Sequence, residues 1–183
     1  MSALPSEPQI TPGEVDLVPM RRRHLRQVLR IESLVYPRPW SGTLFLQEIA
    51  RKSDRVYLVA RNEGHVIGYG GLMLGASEGH ITTIAVDPAF HRRHIGMKLM
   101  LALVDAAIER GARSISLEVR KSNDGAQRMY ELFGFQPVGI RRGYYVETGE
   151  DAIVMWVDAV DTPRYSSLLA GLRRRVAGEI GAP

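Results

Sequence analysis

Residues 95–111, IGMKLMLALVDAAIERG, constrain the fold more than any other stretch of the chain. Their apolar positions recur at helical spacing, and Gly111 closes the run as helix-ending glycines do. The segment before them, GHITTIAVD (79–87), is β-rich and stops at Asp87-Pro88. A strand that turns directly into a long helix is half of an α/β unit, and the helix needs a sheet to lie on.

The remaining segments supply that sheet. Asp16 to Met20 is a short first strand carrying Pro19. A helix from Arg22 to about Val35 puts Leu25, Val28, Leu29 and Ile31 on one face. YPRPW (36–40) ends it, because two prolines cannot continue a helix. Ser41 is an N-cap for a second helix bearing Leu44, Phe45 and Ile49. RVYLVARN (55–62) and HVIGYGGLML (65–74) are joined by NEG as a hairpin. SISLEV (114–119) is a buried strand, and NDGAQRMYELFG (123–134) a helix ending at Gly134. FQPVGI (135–140) and AIVMWV (152–157) are two last strands separated by the loop 141–151. The order predicts an α/β (α+β) mixed sheet with no internal repeat.

The ends differ in kind from the middle. Residues 1–13 are rich in Pro, Ser and Glu and are expected to form a disordered leader rather than a signal peptide. The compact domain is expected over 14–158. Residues 159–183 form a helical extension, with Leu168, Leu169, Leu172 and Val176 on one side and packing on the domain as the expected fate. At 183 residues and 45% hydrophobic, the chain can bury a core without staples. It has no cysteine, which excludes disulfides, thiolate zinc sites and a cysteine nucleophile and suits a cytoplasmic setting. No apolar stretch reaches membrane-spanning length. The net charge is +4 with a pI near 9.6. Arginine clusters lie at 21–23, 92–93, 141–142 and 173–175, without the interleaved aromatics a nucleic-acid surface would want. A polyanionic cofactor is the better match.

The strand–turn–helix at 84–97 makes an anion site. Backbone N–H groups converge at the helix start, the helix dipole favours negative charge, and Arg92, Arg93 and Lys98 add to the rim. A pyrophosphate is the natural guest. IAVDPAFHRRHIGMKLM is similar to the acetyl-CoA motif of the GNAT superfamily of N-acetyltransferases, written Arg/Gln-x-x-Gly-x-Gly/Ala. His91 stands at the Gln or Arg position, His94 replaces the first glycine, and Gly96 is kept. Glycine permits positive φ, and histidine is among the other residues enriched there, so the turn is expected to survive.

A second stretch, SLEVRKSNDGAQRMYELFGF (116–135), resembles the RimI-type branch of that superfamily almost residue for residue. The resemblance implies a general base at Glu118, a cofactor contact at Asn123 and a general acid at Tyr130. It also implies pairing of the pantetheine arm with Ile84, Ala85 and Val86, and phosphate contacts from Arg92, Arg93, His94, Ile95, Gly96 and Met97. RRGYYVETGEDAIVM (141–155), with Tyr144 and Tyr145, and PRPWSGTLF (37–45), with Trp40, resemble the two walls of the slot for a peptide N-terminus. The implied fold is a mixed, mostly antiparallel sheet that splays at its centre.

The chemistry agrees with the residues. An α-amine has a pKa of roughly 7.7–8.0, so a carboxylate, directly or through one water, can remove its remaining proton. A phenol stays protonated and can serve the departing sulfur. The resemblance implies direct transfer from acetyl-CoA, without metal, to a protein N-terminus. The expected acceptor is an alanine start of a small-subunit ribosomal protein, and the enzyme is expected as a monomer or weak homodimer. Lysine or small-molecule N-acetyltransfer on the same fold, or a degenerate CoA-binding domain, stay open on the residues alone.

Overall fold

The computed structural model describes residues 15–180. Strands β1 (Val15–Pro19), β2 (Arg55–Asn62), β3 (His65–Leu74), β4 (Glu78–Val86), β5 (Ser114–Arg120), β6 (Gln136–Tyr145) and β7 (Glu150–Asp158) form one sheet in the order β1-β2-β3-β4-β5-β7-β6. Every neighbouring pair is antiparallel except β4 and β5. Helices α1 (Leu25–Val35) and α2 (Gly42–Ala50) follow β1; α3 (Ile95–Glu109) links β4 to β5, α4 (Asp124–Leu132) links β5 to β6, and α5 (Pro163–Ile180) follows β7. No helix among the described residues is long and apolar enough to cross a membrane.

The two faces of the sheet carry separate cores. Leu72, Ile81, Leu103, Ile115, Phe133 and Phe135 pack with α3 and α5, whereas Val28, Ile31, Phe45, Val59 and Tyr69 pack under α1 and α2. Helix α3 lies unusually close to β3 because Gly70 has no side chain there; a Cβ on it would stand 2.8 Å from Leu103 Cδ1. Ser41 caps α2 as its sequence position requires, accepting from the Leu44 N–H.

Three expectations are corrected. The helix expected from Arg22 begins as a 3₁₀ turn over Arg22–His24, and α1 proper starts at Leu25. The loop expected over 141–151 shrinks to residues 146–149, because β6 runs on to Tyr145 and pairs it with Glu150. Gly143, at φ +58, donates its N–H to Asp151 Oδ1 at 2.8 Å and absorbs the irregularity that lets the ladder resume. On α5 the inward face is Tyr165, Leu169, Leu172 and Val176, while Leu168 is 36% exposed. A spacing of four, three and four keeps those residues on one stripe, and Leu168 falls a helical step outside it. The leader expected over residues 1–13 lies outside the described residues.

Candidate active site

The site begins where the sheet parts. β4 and β5 pair from Glu78↔Ser114 to Ile81↔Leu117, yet both strands continue, to Val86 and Arg120. The divergence coincides with a bulge: Gly71 pairs with Thr83 and Leu72 with Ile81, so Thr82 is the extra residue on β4. Past the bulge one edge of β4 faces an opened gap. The Asp87 N–H bonds the Ile67 carbonyl, so by the alternation of an antiparallel ladder Ile84 and Val86 direct their backbone groups towards that gap. Their carbonyls are taken by the Tyr36 hydroxyl at 3.0 Å and by His91 Nε2 at 3.0 Å. Their N–H groups are thereby the donors presented to whatever enters, which suits the amide carbonyls of a pantetheine arm.

At the end of the gap, Arg92 and His94 both take left-handed backbone conformations, with φ of 61° and 57°. The turn that glycine usually makes therefore survives with histidine at its hinge, and the N–H groups of Ile95, Gly96 and Met97 open α3. Lys98 is partly buried in the first turn, and burial pushes its ammonium below the ordinary lysine value. Gly96 faces Met129 of α4, whose sulfur would lie 3.4 Å from an added Cβ, so the two helices approach closely here. The charge and geometry of this end fit a pyrophosphate.

Glu118 sits on β5 beside the opening, with its side chain only 10% exposed. His80 Nε2 lies 3.0 Å from Oε2, and Arg141 Nη2 lies 3.2 Å from Oε1. The hydrogen bond from His80, with the nearby charge of Arg141, holds the carboxyl below its ordinary value against the opposing effect of burial. It is thus an ionised carboxylate at neutral pH. Tyr130, on α4, is 5% exposed with its ring 6.1 Å from Phe135. Burial pushes its phenol well above the ordinary value, and the nearby Tyr36 and Tyr145 add to the effect.

Tyr145 links these groups, being within electrostatic range of Glu118 and Tyr130. The Arg120 guanidinium stacks 3.8 Å from its ring centroid, yet burial still carries its phenol to about 12. Tyr144 is 44% exposed, meets Tyr145 edge-on at 5.2 Å, and lies under Arg141. Arg120 also pairs with Glu147 at 2.5 Å and with Glu150 at 3.3 Å, which ties β5 to the turn of this hairpin.

Trp40 and Asn123 stand differently from the rest. The Trp40 ring packs on Phe45 at 5.4 Å, and the Trp40 backbone N–H donates to the buried Glu32 at 2.8 Å, so the residue anchors the α1–α2 loop. Asn123 caps α4, its Oδ1 accepting from the Ala126 N–H at 3.1 Å. Sequence reasoning missed His80, Tyr36, Arg120 and the part played by Arg141. Only the parallel register His80↔Ser116 and the turning of the β6–β7 hairpin bring these residues to Glu118 and Tyr145.

A split between parallel strands, an anion-binding turn after one and a carboxylate on the other form the frame in which an acyl thioester meets an amine. The acetyltransferase (GNAT) family model matches residues 25–135. The chain belongs to the GNAT acetyltransferase family. It is 42% identical over 127 residues to the N-alpha-acetyltransferase RimI of Mycobacterium tuberculosis, covering 67% of this chain and 78% of that one. It is 34% identical over 128 residues to the ribosomal protein bS18-alanine N-acetyltransferase of Salmonella typhimurium, covering 69% and 85%. The crystal structure of the ribosomal-protein-S18-alanine N-acetyltransferase from Escherichia coli superposes with a TM-score of 0.72 at 28% identity, over 79% of this chain and 94% of that one. As a GNAT member of RimI type, the chain is an N-acetyltransferase, and the splayed, mostly antiparallel sheet is the family's fold.

Proposed function

We propose that this GNAT enzyme transfers the acetyl group of acetyl-CoA to the α-amine of a protein N-terminus, with an alanine start on a small-subunit ribosomal protein as acceptor. One observation carries the reading. An ionised, nearly buried Glu118 stands at the split of the sheet, held by His80 and Arg141, with Tyr144 under Arg141 and Tyr145 beside it. The names of the RimI-type relatives support the choice of acceptor.

Glu118 takes a proton from the acceptor ammonium, directly or through one water, which frees the nitrogen lone pair to form the C–N bond. The N–H groups of β4 beyond the Thr82 bulge stabilise charge on the carbonyl oxygen. As the C–S bond breaks, Tyr130 passes its hydroxyl proton to the sulfur; the attacking nitrogen sheds its second proton as the amide forms, and a proton returned through solvent restores the phenol. A phenol, with an ordinary pKa of about 10 that burial raises further here, is protonated at neutral pH and so has a proton to give as charge builds on sulfur. Transfer is direct, with no acyl-enzyme.

Acetylation of a peptide beginning with alanine, compared with the same peptide blocked at its N-terminus, tests the acceptor. Product on the open peptide alone is expected, and equal product on a blocked peptide containing lysine would refute the reading. Glu118→Gln is expected to lower kcat by about 10²-fold or more, and Tyr130→Phe to lower kcat with KM for acetyl-CoA little changed. Full turnover in Glu118→Gln would overturn the base assignment.

A further inference from the structure

His80 is engaged on both ring nitrogens. The parallel register sets it beside Ser116. Its Nδ1 lies 2.9 Å from Ser116 Oγ, and its Nε2 lies 3.0 Å from Glu118 Oε2. An ionised carboxylate only accepts, so Nε2 carries a proton and donates it to Glu118. A serine hydroxyl both donates and accepts. With neutral His80 the Ser116 O–H donates to Nδ1; with protonated His80 the Nδ1–H donates to Oγ. The ring therefore gains or loses a proton by rotation of one hydroxyl, with no heavy atom moved and neither contact broken.

The other charged groups leave His80 as the adjustable one. Arg141, reaching Glu118 from β6, is permanently charged and 57% exposed, so solvent weakens it, whereas the His80 side chain is 26% exposed. On the side of β2 and α2, Arg55 is tied to Glu48 at 2.7 Å and to Asp54 at 2.9 Å. Imidazole is the side chain that ordinarily changes charge between pH 5 and 8. Its protonation places a second cation against Glu118 and makes that carboxylate a weaker base.

We infer that His80 is a positioning residue for Glu118 whose charge state governs the reaction: neutral His80 orients the carboxylate to take the acceptor's proton, and protonated His80 holds it in an ion pair and slows transfer. The inference rests on Glu118 being the base, and two variants at His80 separate it from that reading. His80→Gln keeps a neutral N–H donor at a similar reach and removes the titration; His80→Leu removes both. The measurement is kcat against pH from 5.5 to 9, with acetyl-CoA and an alanine-starting peptide both saturating. The acceptor amine contributes the same acid limb to every variant, so differences between profiles belong to His80. His80→Gln is expected to keep kcat at pH 8.5 within about threefold of the parent and to lose less of it by pH 6. His80→Leu is expected to lose about tenfold or more at all pH values, with KM for acetyl-CoA unchanged. A His80→Gln profile that superimposes on the parent's overturns the inference, as does parental kcat in a folded His80→Leu. If His80→Leu does not fold, the His80→Gln profile decides alone. An inactive Glu118→Gln beside a parental His80→Gln profile refutes only the role of His80. An active Glu118→Gln refutes the base itself and the inference with it.

Discussion

Gly71→Ala should damage the enzyme at a distance, through the bulge that opens the sheet. An added Cβ at Gly71 would meet Tyr57 Cε1 at 2.4 Å, Tyr57 Cζ at 2.6 Å and Thr82 Oγ1 at 2.7 Å. Carbon atoms settle at about 3.5–4.0 Å, so the ring would have to withdraw by more than about 1 Å. It has little room, since Tyr57 is 5% exposed and packs edge-on to Phe45 at 6.5 Å. Its hydroxyl also donates to Glu48 at 2.9 Å and lies 3.0 Å from Thr82 Oγ1, contacts that a displaced ring gives up. Overpacking costs about 1–3 kcal/mol and each lost hydrogen bond about 1 kcal/mol, which together suggest about 3 kcal/mol. For a domain of this size that lowers Tm by about 6–12 °C. Turnover should fall as well, because Thr82 is the residue whose extra place turns β4 away from β5. Thermal melts of Gly71→Ala, Tyr57→Leu and the double variant measure the effect. The pair should cost less than the sum of the singles, as residues in direct contact couple. A Gly71→Ala protein melting within about 2 °C of the parent, or strict additivity of the pair, would refute the steric reasoning.

Other perturbations give separate checks. Burial holds the Glu32 carboxyl above its ordinary value despite hydrogen bonds from the Trp40 N–H and the Tyr69 hydroxyl. The stability tied to its protonated form is thus present below the unfolded value and lost as pH rises through the folded one. Glu32→Gln should therefore gain stability relative to the parent from pH 4 to 7 in urea titrations, and a pH-independent difference would contradict this. Leu169→Ala should cost about 2–5 kcal/mol by the same titration, and Leu168→Ala about 0.5 kcal/mol or less, because only Leu169 is buried against the domain. Equal losses would place α5 elsewhere. His94→Gly should bind acetyl-CoA more tightly by calorimetry, since glycine lets the backbone of the turn approach a phosphate more closely. Weaker binding would show that the imidazole itself is used.

Much of this protein was legible in the chain because the signals are local. The period of residues 95–109 made α3, Ser41 capped the helix it precedes, and the LEVRKSN and GYY segments set Glu118, Tyr130 and Tyr145 in a family pattern. Helix spacing, capping and turn chemistry act over a few residues, so sequence carries them directly. Leu168 shows where local reading fails. Its position beside Leu169 looks equivalent in composition, yet the direction of the docked face decides which of them is buried.

The surroundings of Glu118 were of the other kind. His80 and Glu118 lie 38 positions apart, and a one-residue change in the parallel register would send one of them to the opposite face. Arg141 reaches the carboxylate only because β7 lies between β5 and β6, and the hairpin continues to Tyr145 only because Gly143 takes a left-handed turn. Local signals in the chain set the elements and the family and singled out Glu118 and Tyr130 as candidates for the chemistry. Tertiary structure decided the split of the sheet and the company Glu118 keeps, because pairing register and strand order are set by long-range packing that no local window contains.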